Sequence, residues 1–282
     1  MFKAVKKEVI DQHNQSHKSD LDFDFEYLEK KLQQSQIDIH KIKEQVKKFQ
    51  VAVPTWGVGT GGTRFARFPG IGEPQNIYEK IEDCAVINDL MGFTQKVSPH
   101  FPWDNVEDFS ELKSFSDNYG IGFDVVNSNT FQDSDDSSES FKYGSLTNAS
   151  SAARDKAIEV NQRAIDNGRI LGSKGLTVWI GDGGNFPGQI SFSRSLERYI
   201  DSMKKIYSHL PKDWTVLLEH KPYEPAFYST VISDWGTSYI CAKELGDQAM
   251  CLVDLGHHLP NTNIEMIVSR FCLLYTSPSP RD

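Results

Sequence analysis

Cysteine is scarce in this chain. Cys84, Cys241, Cys251 and Cys272 are the only four among 282 residues, lie far apart and form no Cys-x-x-Cys pair. That pattern excludes a disulfide framework and a thiolate zinc site. No run of 18 apolar residues occurs, and the lysine-containing start, Met1–Ile10, has no apolar core of its own. Neither a membrane span nor a secretory leader is expected. Positive charge is in deficit, with 30 Lys and Arg against 39 Asp and Glu and a formal net charge of −9. Such a balance disfavours a main task of gripping nucleic acid phosphates or an anionic membrane. The expectation is a soluble protein of a reducing compartment, most simply cytoplasmic, with no nucleic acid or membrane partner. What is plentiful is ordinary globular material: 38% hydrophobic residues and 20 glycines, enough to bury a core and to exclude disorder for the bulk of the chain. The length admits two domains or one large α/β domain.

Residues 1–50 alternate Lys, Glu and Gln with Val, Ile, Leu and Phe at three- and four-residue spacing, which predicts an N-terminal helical extension interrupted at Asp20–Phe25 and resuming at Glu26–Gln33. From Val51 the pattern changes to short apolar runs at Val51–Trp56, Lys96–Trp103, Ile121–Ser128, Leu176–Gly181, Thr215–His220 and Ala249–Leu255. Helical patterns lie near Asn76–Leu90, Glu107–Asn118, Ala152–Asn167, Ser193–His209, Ser233–Leu245 and Ile264–Arg270. This alternation argues for βαβ units on a parallel sheet. Each unit takes roughly 37 residues, near the ~31 of an eightfold barrel. The fold expected is therefore α/β, a (β/α)8 TIM barrel truncated after about six βα units, over residues 51–271. An open doubly wound sheet is the alternative. The final stretch, Cys272–Asp282, has two prolines in three positions and no helical or strand period. It reads as the in-frame translation of a transposase-type sequencing adapter, so 272–282 is taken as a non-native tail and set aside.

Two motifs fail on inspection. Gly57–Gly62 matches G-x-G-x-x-G after a strand, but Thr63–Gly70 is too short and Pro-terminated to open the helix that a pyrophosphate needs. Asp133–Glu139 resembles a calcium loop, yet the sixth and twelfth positions hold Ser138 and Gly144 instead of Gly and Glu.

The ends of the last two runs carry the chemistry. Strand alternation in Thr215–Lys221 puts Glu219 and Lys221 on one face and His220 on the other. In Cys251–His258 an acid, Asp254, closes the run and His257 follows three residues on, with Gly256 expected to let the backbone turn sharply. The C-terminal ends of barrel strands are where such folds build active sites. Two carboxylates and an imidazole without a thiolate suit Mn²⁺, Mg²⁺, Co²⁺ or Zn²⁺. Trp56, Trp103 and Trp179 each fall at or just past a strand end, and tryptophans around a polar site suit a sugar, whose C–H faces pack on rings.

These segments together resemble the L-rhamnose isomerase family, in its bacterial branch of broad sugar specificity. The matching stretches are Val51–Gly70, Asn127–Phe131, Leu176–Gly183, Glu219–Tyr228 and Cys251–His258. The resemblance implies a tetrameric (β/α)8 barrel with two divalent metals, typically Mn²⁺, that interconverts aldoses and ketoses such as L-rhamnose and L-rhamnulose, or D-allose and D-psicose. It implies that Glu219 and Asp254 ligate one metal and His257 the other, His257 and Lys221 being catalytic. Lys221 would meet the substrate oxygen near C1–C2. His100, Trp103, Trp179 and Trp56 would line the sugar pocket, and Phe65 would reach a neighbouring subunit's site. The family's later strands supply a further histidine and several aspartates that this chain lacks, so the 282-residue fragment is expected to be unstable and inactive. A metal-dependent sugar epimerase on the same barrel and a non-catalytic carbohydrate-binding relative are the competing readings.

Overall fold

The computed structural model describes residues 4–61, 70–133, 138–223 and 228–275. The chain forms two units, Met1–Asp124 with Ile170–Gly172, and Val125–Arg169 with Ser173–Asp282.

In the first unit three helices come first, α1 (Lys7–Ser16), α2 (Lys18–Gln33) and α3 (Ile39–Lys47). The expected interruption at Asp20–Phe25 does not occur: α2 runs through it, because Leu21, Phe25, Leu28 and Leu32 keep a helical stripe. The break falls instead at His17. Ile39 alone is buried in these three helices, and Val9, Leu21, Phe23 and Tyr27 are exposed. Next come β1 (Ala52–Pro54), the single turn α4 (Thr55–Val58), α5 (Ile77–Met91), β2 (Lys96–Ser98), α6 (Phe109–Tyr119) and β3 (Gly122–Phe123). The three strands are parallel in the order β1-β2-β3, with Val53 opposite Val97 and Val97 opposite Phe123. The first two strands are shorter than the apolar runs that announce them, since Pro54, Pro99 and Pro102 have no N–H to give to a ladder. Asn76 caps α5 through the Glu79 N–H, and Asp108 caps α6 through those of Ser110 and Glu111.

The second unit holds β4 (Val126–Ser128), α7 (Ser151–Leu171), β5 (Gly175–Val178), α8 (Phe192–His209), β6 (Thr215–Glu219), α9 (Trp235–Leu245), β7 (Ala249–Leu252) and α10 (Ile264–Tyr275). Its strands are parallel in the order β4-β5-β6-β7. Every residue of β5 is buried, as in a sheet covered on both faces. In β6 only Val216 and Leu218 are buried, which leaves Thr215, Leu217 and Glu219 on the other face. The apolar run Ile121–Ser128 is divided at Asp124–Val125, its first half pairing with β2 and its second with β5. Helix α10 continues past Arg270 through Cys272 to Tyr275, contrary to the expectation of no helical period there. Phe271 and Tyr275, one turn apart, meet each other at 5.5 Å between ring centroids and Tyr239 at 6.0 and 5.7 Å. The backbone N–H of Cys251 donates to the Tyr275 hydroxyl at 3.1 Å.

Candidate metal centre

Glu219 is the last residue of β6 and pairs in register with Leu252, the last residue of β7. Two residues beyond β7 the chain turns at Asp254. The His257 N–H donates to the Asp254 carbonyl at 3.1 Å and the Gly256 N–H to the Asp254 carboxylate at 2.7 Å. Gly256 was expected to supply conformational freedom, but its φ is outside the left-handed region. The turn is closed by the two hydrogen bonds that Asp254 accepts, and Gly256 serves it by close approach, since a Cβ there would stand 3.3 Å from the Asp254 carboxylate.

This turn swings His257 back over β6. Its Nδ1 lies 2.9 Å from Glu219 Oε1 and its Nε2 lies 3.7 Å from Asp254 Oδ2. One ligand atom from each of the three residues falls within 4.8 Å of the others. The His257–Glu219 approach is close, yet Nδ1 makes no aligned hydrogen bond. A short separation without hydrogen-bond geometry is what two lone pairs show when they face a common point. Side-chain exposures of 13% for Glu219, 18% for His257 and 40% for Asp254 leave the cluster walled on the β6 side and open at Asp254. Two hard carboxylate oxygens and one imidazole nitrogen match a borderline divalent cation, so the residues present fit a metal ion.

Behind the cluster, His220 continues the buried face of β6 at 1% exposure. Burial, and then neighbouring His258, push its pKa down to about 4, with Asp234 opposing. Its ring meets His258 edge-on at 4.9 Å. The thiols take no part: burial pushes both Cys84 and Cys241 up to about 12.

Lys221 lies beyond β6, where its N–H donates to the Ile232 carbonyl at 3.0 Å and the Thr230 hydroxyl donates to its carbonyl. Its ammonium sits 5.2 Å from the centroid of the Trp179 ring, a cation–π distance. Trp179, just past β5, meets Phe131 edge-on at 4.8 Å. Its buried Nε1 has no hydrogen-bond partner among the described residues.

A second buried carboxylate escaped sequence reasoning. Asp182 accepts from the backbone N–H of Ser145 at 2.7 Å and of Thr147 at 3.0 Å, and from their hydroxyls at 2.8 and 2.7 Å. Its carbonyl accepts from the Val231 N–H at 2.9 Å. Burial raises the Asp182 pKa, and the four donors oppose that rise. The available signal was an acid between two glycines just after a strand, Gly181-Asp182-Gly183, which a buried clamp and an exposed turn share.

Of the residues singled out from sequence, the second unit brings Glu219, Asp254 and His257 into one cluster and sets Lys221 against Trp179. In the first unit Trp56, His100 and Trp103 form a ring cluster, with centroids 5.0 Å apart for Trp56–His100 and 4.6 Å for His100–Trp103, both edge-on. Phe65 lies outside the described residues, as does most of the acidic stretch after Asp133.

The chain is similar to two probable sugar isomerases. It is 57% identical over 266 residues to one from Mesorhizobium japonicum, which covers 94% of this chain and 62% of that protein. It is 55% identical over 270 residues to one from Rhizobium meliloti, covering 96% and 63%. The chain thus spans less than two thirds of the length of these relatives. No protein-family model matches it. Among solved structures, an AP endonuclease of family 2 from Brucella melitensis aligns with a TM-score of 0.55 at 13% identity, over 79% of this chain and 75% of that one. A D-psicose 3-epimerase with D-tagatose from Clostridium cellulolyticum H10 aligns with a TM-score of 0.55 at 13%, over 78% and 69%. The IolI protein with a bound zinc atom aligns with a TM-score of 0.53 at 11%, over 77% and 67%. Likeness at such low identity establishes the fold: the α/β architecture is of the TIM-barrel type seen in sugar isomerases and epimerases. Among the described residues, no helix is long and apolar enough to cross a membrane.

Proposed function

We propose that the chain carries the metal-binding strands of a metal-dependent aldose–ketose isomerase of the L-rhamnose isomerase type, which acts at C1–C2 of an open-chain monosaccharide. The observation that carries this reading is the convergence of Glu219, Asp254 and His257 within 4.8 Å at the ends of two adjacent parallel strands. Support comes from the two relatives that bear the name probable sugar isomerase. Glu219, Asp254 and His257 would hold a divalent ion, Mn²⁺ in our reading, which when bound supplies Lewis acidity toward the sugar's carbonyl and hydroxyl oxygens.

The chain's own side chains do the rest. Lys221, held with its ammonium over Trp179, offers a fixed positive charge to the oxygen near C1–C2 and stabilises negative charge that gathers there. The Trp179 ring packs on sugar C–H groups. His257 stands close enough to both carboxylates to be oriented by them. The intact protein is a cytoplasmic homotetramer in this reading, and Trp56, His100, Trp103 and Phe65 are its further sugar-binding residues.

The test uses the gene. The reading frame is sequenced past codon 271, and the protein is expressed at the length it encodes and assayed with L-rhamnose and D-allose. Ketose formation that stops on adding EDTA and returns with Mn²⁺ is the expected result. The same fold serves D-psicose 3-epimerase; a product inverted at C3, or no product at all, would overturn the isomerase reading.

A further inference from the structure

Lys80 and Asp104 form a buried ion pair that the proposed chemistry does not use. Lys80 lies in α5, and its Nζ is 2.7 Å from Asp104 Oδ1 with side-chain exposures of 1% and 0%. The other oxygen, Oδ2, accepts from the Thr55 hydroxyl at 2.5 Å and from the His100 backbone N–H at 2.8 Å. One carboxylate therefore ties three separate segments together: α5, the turn that carries Trp56, and the loop that carries His100 and Trp103. Gly59 and Gly61 pack closely on the Lys80 side chain and the Trp103 ring. A Cβ at Gly59 would stand 2.9 Å from the Lys80 side chain, and one at Gly61, where φ is +117°, would stand 3.0 Å from the Trp103 ring.

A buried ion pair is a poor source of net stability, because desolvation offsets its attraction, but a buried carboxylate that accepts from three separate groups fixes their relative geometry. Here the geometry fixed is that of three aromatic rings, which meet edge-on around His100. We infer that Thr55, Lys80 and Asp104 are positioning residues that set the Trp56–His100–Trp103 cluster as a rigid aromatic wall for a sugar ring. This inference rests on the sugar reading of the preceding section.

Removing either charge would strand the other in the interior and unfold the unit, so the informative variant is Thr55→Val, which deletes one hydroxyl at constant shape. The protein at the length its gene encodes, labelled with ¹⁵N at its indoles, is compared with T55V and with the conservative T55S. Titration with L-rhamnose and with D-psicose follows binding through the same signals. The expected result is that the Trp56 and Trp103 indole signals shift in T55V while those of Trp179, Trp214 and Trp235 stay. Sugar binding then weakens by about tenfold, and T55S restores both. Unmoved Trp56 and Trp103 signals with unchanged sugar affinity would overturn the inference and leave the sugar reading standing. Movement of all five indoles together would also overturn it, since the network would then be holding the fold generally. A parent chain that binds neither sugar would overturn the sugar reading and this inference with it.

Discussion

Replacing Asp182 separates a clamp from an ordinary surface acid. Its Oδ2 accepts three of the four hydrogen bonds, from both backbone N–H groups and the Thr147 hydroxyl, and Oδ1 accepts the fourth from Ser145. In Asp182→Ala the two hydroxyls can rotate to other partners, but the Ser145 and Thr147 N–H groups cannot. Each buried donor left unpaired costs about 1–3 kcal/mol, so two cost about 2–6. Relief from burying an ionised carboxylate recovers part of that, and we expect a net loss of about 3 kcal/mol. Asp182→Asn keeps an oxygen where three donors converge and turns its amide toward a hydroxyl that can accept. Only charge assistance is lost, and the same relief offsets it, for a net cost of about 1 kcal/mol. Burial holds the carboxyl above its ordinary range, so the folded state binds the proton more readily than the unfolded state. The parent's advantage over Asp182→Asn is thus largest at acid pH and narrows as pH rises through the folded pKa. Urea unfolding followed by far-UV circular dichroism, at fixed m-value, measures all three quantities. An Asp182→Ala variant within about 1 kcal/mol of the parent, or one no worse than Asp182→Asn, would refute the clamp.

Other expectations follow from the same geometry. Asp234 caps α9: burial raises its pKa, but hydrogen bonds from the Thr237 N–H and hydroxyl and from Ser233 outweigh burial and lower it. Its contribution is therefore fully present above the ordinary aspartate range and lost as pH falls through the lowered value. Asp234→Ala should cost about 1 kcal/mol at pH 7 and flatten the fall of the urea midpoint below the ordinary aspartate range. Lys221→Met should leave the fold intact and, on the proposed function, abolish most ketose formation by the gene-length protein, a loss of roughly 100-fold in kcat/KM, because the ammonium over Trp179 is gone. Unchanged steady-state rates would remove Lys221 from the catalytic set.

Strand–helix alternation was legible because buried parallel strands and amphipathic helices have different periods, and all six C-terminal helical patterns correspond to helices. Element ends were less so. Pro54 and Pro99 truncated apolar runs that composition alone would extend, and the division of Ile121–Ser128 depends on which neighbour each half finds, a tertiary fact. The N-terminal helices misled at Asp20–Phe25 because acidic residues on an exposed helical face resemble a loop. The proximity of Glu219, Asp254 and His257 was legible because strand ends and a three-residue offset constrain where side chains point. Asp182, Asp104 and Lys80 were not, since the Lys80–Asp104 pair spans 24 residues of sequence, the Thr55–Asp104 bond 49 and the Ser145–Asp182 bond 37.

The most direct test of the central claim is a calorimetric titration of the protein at its gene-encoded length, freed of metal, with Mn²⁺, alongside Glu219→Gln and Asp254→Asn. The account requires saturable binding by the parent that weakens at least tenfold in each variant. Absence of binding, or binding that survives both substitutions unchanged, would contradict the assignment of Glu219, Asp254 and His257 as a metal centre.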